Sequence, residues 1–178
     1  MKTSDFFTQE HMEARAKYKT SDMAEHWLNS VDTTYLNQEM INFVESLSYF
    51  FLATSSANGN TNVNFKGSDG TPLVKVINSK RLVFADFKGN GILHSVGDIY
   101  SNPNIGMLFI DFNQDLRLKV SGKARVIDDE RKLASYLDVF ESYELARLIE
   151  VDIEYVIPNC SNKLSIVRES IIKNQQGE

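Results

Sequence analysis

Residues Phe84–Ser95 read Phe-Ala-Asp-Phe-Lys-Gly-Asn-Gly-Ile-Leu-His-Ser and hold the most chemically suggestive pattern in the chain. A strand that feeds a glycine-rich turn into a helix start leaves backbone N–H groups pointing outward. Together with the helix dipole, these can hold a phosphate. Asn90, His94 and Ser95 add side-chain donors, Gly91 gives the turn its freedom, and Lys88 adds charge. As a dinucleotide fingerprint the segment fails, because His94 stands where a third glycine should follow Gly89 and Gly91. The same residues also suit an ordinary strand–turn–helix joint.

Two further sets bear on anion chemistry. In Leu73-Val-Lys-Val-Ile77 the neighbours on both faces are apolar, so Lys75 either snorkels at a rim or serves an anion. In Leu116–Arg125, residues Leu116, Leu118 and Val120 alternate with Arg117, Lys119, Lys123 and Arg125 on the other face. Cations on the wet face of an antiparallel strand are routine. A basic stripe in an acidic protein also suits an anionic ligand or an acidic partner. Other chemistries find little support. His11, His26 and His94 lack metal-ligand spacing, Cys160 has no CxxC partner, and no Gly-x-Ser-x-Gly elbow occurs.

These residues need a scaffold, and the apolar spacing supplies one. A helix is expected near Asn37–Leu47, capped by Asn37, with Met40, Ile41, Val44 and Leu47 as its stripe. A shorter helix carrying Trp27, Leu28 and Val31 precedes it, and residues 1–20 read as an irregular or weakly helical arm. The period then drops to two. Tyr49–Ser55 and Thr61–Phe65 flank Asn58-Gly59, a strong hairpin signal. Gly67–Gly70 marks a loop, and Leu73–Ile77 and Arg81–Ala85 flank a second turn at Asn78-Ser-Lys80. A helix near Gly91–Tyr100 stops before Pro103. Strands follow at Ile105–Asp111, Leu116–Ile127 and Glu150–Ile157, with a helix over Asp128–Phe140. Tight hairpins with few crossovers mean antiparallel pairing. Six or seven such strands suggest a closed or partly closed barrel, a mainly β fold with peripheral helices.

Composition narrows the class. A chain of 178 residues, 42% hydrophobic and 24% charged, is sized for one core. Nineteen Lys+Arg against 24 Asp+Glu leave −5, which disfavours wholesale nucleic-acid binding. Met107–Ile110 is far too short to span a membrane, and Met1–Phe6 shows no apolar signal core. One cysteine fits a reducing compartment, so a cytoplasmic location is expected.

The ordered set of pieces resembles a known family. Phe50–Ser55 precedes Asn58-Gly59, then come Pro72–Val76, Leu82–Asp86, Gly89-Asn90-Gly91, Asn102–Phe109 and Leu116–Ala124, with a late Asn159-Cys160. Together these are similar to the FMN-binding split-barrel family related to pyridoxamine 5′-phosphate oxidase. The likeness is closest to a bacterial branch with a Gly-Asn-rich loop. It implies a six-stranded antiparallel split barrel over about residues 37–168, after an arm (1–36) and before a tail (169–178). It also implies a homodimer with FMN at the subunit interface. By the same likeness, Lys75 and its neighbour Val76 fall on the strand that lines the cofactor and substrate pocket. Ala85 and Asp86 fall along the ribityl chain and ring, and Arg117 reaches the flavin from the second subunit. Gly89–Ser95 replaces the family's Ser-Arg-Lys phosphate loop, with Ser68, Lys75, Arg117 and the Asn90–Ile92 backbone making up the missing charge and donors.

The chain departs from true pyridoxamine phosphate oxidases. It has Gly70-Thr-Pro72 in place of an arginine, and it lacks the loop Arg-Lys pair and the C-terminal Trp and Arg-x-His segments. The expectation is therefore an FMN-dependent oxidoreductase acting on a small organic substrate other than vitamin B6. The alternative is a non-catalytic flavin- or haem-binding module. A dimer that uses the fold without a cofactor is a third reading.

Overall fold

The computed structural model describes residues 7–140, 145–160 and 163–176; Met1–Phe6, the segment without an apolar signal core, lies outside them. Asn37 opens helix α3 (Gln38–Ser46) by accepting the Met40 N–H at 2.9 Å. The helix then turns Val44 fully inward, with Met40 and Ile41 packed beside it. Strand β1 (Tyr49–Ser55) pairs with β2 (Thr61–Gly67) across a turn in which Gly59 takes a φ of 81°, a conformation that favours glycine. Strand β3 (Val74–Asn78) pairs with β4 (Arg81–Phe87), and Asn78 Oδ1 accepts the Lys80 N–H at 2.9 Å within that turn.

Helix α4 (His94–Ser101) leads into β5 (Asn104–Asp111) and β6 (Leu116–Ile127). Two short helices, α5 (Glu130–Ala134) and α6 (Leu137–Phe140), precede the long β7 (Leu145–Cys160) and α7 (Lys163–Gln176). All pairings are antiparallel in a seven-stranded sheet of order β2-β1-β5-β6-β7-β4-β3. Three strands separate β1 from β4 in this order, yet the Phe50 and Phe84 ring centroids are 5.1 Å apart. Phe109 of β5 lies 5.3 Å from Phe50 on its other side. The sheet therefore curls on itself. Three fully buried rings fill its axis, each contributing about 2–3 kcal/mol of apolar burial.

The structure corrects several expectations. The sheet has seven strands, not six, because β7 and the separate β2 and β3 borders all belong to it. Within the stretch expected to be irregular or weakly helical, Gln9–Lys17 form a regular helix, α1, while α2 (Ser21–Ser30) is the expected shorter helix, carrying Trp27 and Leu28 with Val31 at its C-cap; neither helix has a buried residue. Helix α4 starts at His94, not Gly91, because Leu93 takes the N-cap place in the left-handed region (φ 53°). Asp128–Phe140 is two short helices, not one. β2 extends to Gly67 and β7 begins at Leu145, which brings Lys66 and Arg147 into the sheet.

Candidate functional site

The site lies where the two sides of the curled sheet approach each other. Strand β2 alternates in an unusual sense. Val63 and Phe65 are 69% and 64% exposed, while Asn62, Asn64 and Lys66 turn inward on the same face as Phe50 and Thr54 of β1. Strand β4 is apolar from Leu82 to Ala85, and Asp86 then follows Phe84 on the interior face and is 7% exposed. Asp86 pairs in register with Arg147 of β7.

Polar contacts tie these strands together. Lys66 Nζ donates to Asp86 Oδ1 at 2.7 Å, and Arg147 Nε donates to Asp86 Oδ2 at 2.9 Å. On the other wall, Ser95 Oγ accepts from Asn64 Nδ2 at 2.5 Å and from Asn62 Nδ2 at 3.3 Å. The Thr54 hydroxyl donates to Asp98 Oδ2 at 2.6 Å, which seats helix α4 on the β1–β2 hairpin. His94 Nε2 stands 3.9 Å from that same Asp98 oxygen.

Between these walls is a cavity of about 730 Å³, within the usual range for small-molecule sites. Asn64, Lys66, Asp86, Arg147 and the whole Phe87–Val96 segment line it. Leu93 makes no side-chain cap, so it leaves the first-turn N–H groups of α4 to other acceptors. The Ile92 N–H, in contrast, is taken by Asn90 Oδ1 at 3.1 Å. A second recess of about 440 Å³ lies among Ala53, Thr61, Gly106 and Ser121, with Glu154 as its one charged lining residue. Among the described residues, no group of three His, Cys, Asp or Glu could hold a metal ion.

Of the residues expected from sequence, Asp86, Asn90, Gly91, His94 and Ser95 share the larger cavity. The other five stand elsewhere. Ser68 Oγ donates to the Thr71 carbonyl at 2.5 Å, closing the β2–β3 loop. Lys75 lies at the rim with its Nζ 3.0 Å from Glu45, and the Val76 N–H donates to that same carboxylate at 2.8 Å. Ala85 is buried in β4, and Arg117 is half-buried on β6, on the face opposite Leu118. Lys66 and Arg147 are not among the residues that the sequence patterns single out. The signal available for Lys66 was the strict alternation of Asn62, Asn64 and Lys66 with Val63 and Phe65.

Comparisons with known proteins agree with this architecture. A family model described as pyridoxamine 5′-phosphate oxidase matches residues 36–160. No curated protein matches the chain. Among solved structures, a putative pyridoxamine 5′-phosphate oxidase from Lactobacillus delbrueckii is 20% identical with a TM-score of 0.56 and covers 71% of this chain and 97% of its own. HupZ of Group A Streptococcus is 16% identical at a TM-score of 0.56, with 71% and 95% covered. An FMN-binding protein from Syntrophomonas wolfei is 11% identical at 0.53, with 80% and 98% covered. At these identities the structures speak for the fold. The family match spans most of the chain, including β1 through β7 and the cavity between them, and on it this chain belongs to the pyridoxamine 5′-phosphate oxidase family.

Proposed function

We propose that the protein is an FMN-binding flavoprotein, and that it acts as an oxidoreductase on a small organic substrate other than vitamin B6. The observation that carries this reading is the 730 Å³ cavity, one wall of which is the β4–α4 turn, in a chain of this family. When bound, FMN supplies the redox chemistry, while the protein supplies binding and orientation. Gly89–Gly91 and the first turn of α4 present backbone donors, and Ser95 and Asn90 add side-chain polarity. His94, with the Asp98 carboxylate 3.9 Å behind its Nε2, adds a ring nitrogen that can hydrogen-bond a ligand in the cavity.

A homodimer is part of this reading. What supports it is the outer face of the β1–β2 hairpin, where exposed Val63 and Phe65 lie beside Tyr49 and Phe51. The Phe65 ring stacks on Tyr49 at 5.9 Å and meets Phe51 edge-on at 5.8 Å. A contiguous exposed apolar face suits association with a second copy of the chain. One observation favours a non-catalytic flavin module instead: Asp86, a carboxylate lining the cavity, has both oxygens engaged by cations.

The purified protein should show flavin absorbance and release FMN on heating. Anaerobic NADH or NADPH should then bleach the flavin. A colourless protein that takes up no FMN in titration rejects both readings. Bound flavin that no donor reduces leaves the module.

A further inference from the structure

We propose that Lys66 and Arg147, held by Asp86 between them, are the anion anchor of the cavity, and that its charge selects a phosphate monoester dianion. The FMN reading above supplies only the rest of the ligand; the anchor itself rests on the geometry of this chain.

Three observations carry it. The first is charge. Lys66, Arg147 and Lys88 line the cavity against one lining carboxylate, Asp86, leaving a surplus of two positive charges. Asp98, buried beneath His94 and engaged by the Thr54 hydroxyl, does not line the cavity and stands outside this count.

The second is unused donor capacity. Arg147 meets Asp86 through Nε alone, and among the described residues its terminal guanidinium nitrogens have no partner. Lys66 spends one of its three N–H groups on Asp86. Both side chains are only 20% exposed, so these donors are largely withdrawn from bulk water yet open to the cavity. A planar guanidinium fork with a neighbouring ammonium matches the oxygens of a phosphate.

The third is Ser95, a lining residue only 5% exposed. Its Oγ already accepts from Asn64 and Asn62, which fills both acceptor positions. Its own hydrogen is then left to donate, and an anion in the cavity is an acceptor for it.

The β4–α4 loop carries Lys88 but no Arg-Lys pair, and the buried cations come instead from β2 and β7, so that the phosphate is gripped at the seam of the barrel. Asp86 is a positioning residue: it fixes the two cations and keeps them apart.

Calorimetric titration of the full-length protein with FMN, riboflavin and phenyl phosphate tests this. The native protein should prefer FMN to riboflavin by at least about 100-fold, and phenyl phosphate should compete with FMN. Lys66→Gln and Arg147→Gln should each cut the FMN-to-riboflavin ratio by about 10- to 100-fold. Lys66→Arg should keep most of it. The ratio reports the anchor and not the fold, since a damaged fold loses both flavins alike.

Equal native affinities for FMN and riboflavin, or an unchanged ratio in both glutamine variants, overturn the anchor and leave the FMN reading standing. Phenyl phosphate that binds and is lost with Lys66→Gln, in a protein that takes no FMN, keeps the anchor and removes the flavin. Binding of none of the three rejects both.

Discussion

Lys66, on one border of the sheet, reaches Asp86 on the strand next to the other border and holds it at 2.7 Å. No backbone pairing joins β2 to β4. The contact is therefore a side-chain bolt across the opening of the barrel, and Arg147 braces it from β7 at 2.9 Å.

Removing the carboxylate should weaken the fold as well as the site. Asp86→Asn leaves two partly buried cations facing each other with a single neutral acceptor. The expected cost is about 3 kcal/mol, read as a lower urea midpoint.

A second charge cluster sets the acid limb of stability. Burial pushes the Asp152 carboxyl up, but hydrogen bonds from Arg81 and Arg125 outweigh it and hold the group below its ordinary value. A carboxyl lowered by folding stabilises the native state above about pH 4 and stops doing so as pH falls through its folded value. Asp152→Asn should therefore flatten the loss of stability as pH falls below about 4. The effect should stay within about 1 kcal/mol, because the side chain is 43% exposed. Urea melts at a series of pH values will show it.

Gly122 sits at the register shift of β6 against β7, and an added Cβ would run into the Asp152 carbonyl. That obstacle is backbone and cannot swing aside. Gly122→Ala should cost about 1–3 kcal/mol in chemical denaturation, while a methyl at open Gly97 should be tolerated far better.

The proposed dimer has its own test. Val63→Glu places charge on an exposed face outside the cavity and should change monomer stability by no more than about 1 kcal/mol. Light scattering should report half the native mass, with FMN retention falling alongside. A native protein that is already monomeric at micromolar concentration removes the dimer from the reading.

Local signals carried most of the fold. The Asn58-Gly59 and Asn78–Lys80 turns and the Asn37 cap are encoded within a few residues, and each stands where its spacing implied. The β4–α4 turn was legible for the same reason. The anchor was not, because Lys66 and Arg147 lie 20 and 61 positions from the aspartate they share. Alternation in β2 shows two faces but not which one meets the core, and here the apolar face points outward. For Lys75 the apolar neighbours left a rim position and an anion contact both open, and the sequence could not show that helix α3 would bring Glu45 alongside.

That same glutamate has a wider effect. Strand β3 forms a border of the sheet, where bare N–H groups invite a foreign extended chain to add on. Glu45 occupies the Val76 N–H and draws the Lys75 ammonium over the border beside it. An intruding strand would have to displace a helix-borne carboxylate and accommodate a lysine at the same step, so ribbon-like growth is blocked on this side of the molecule.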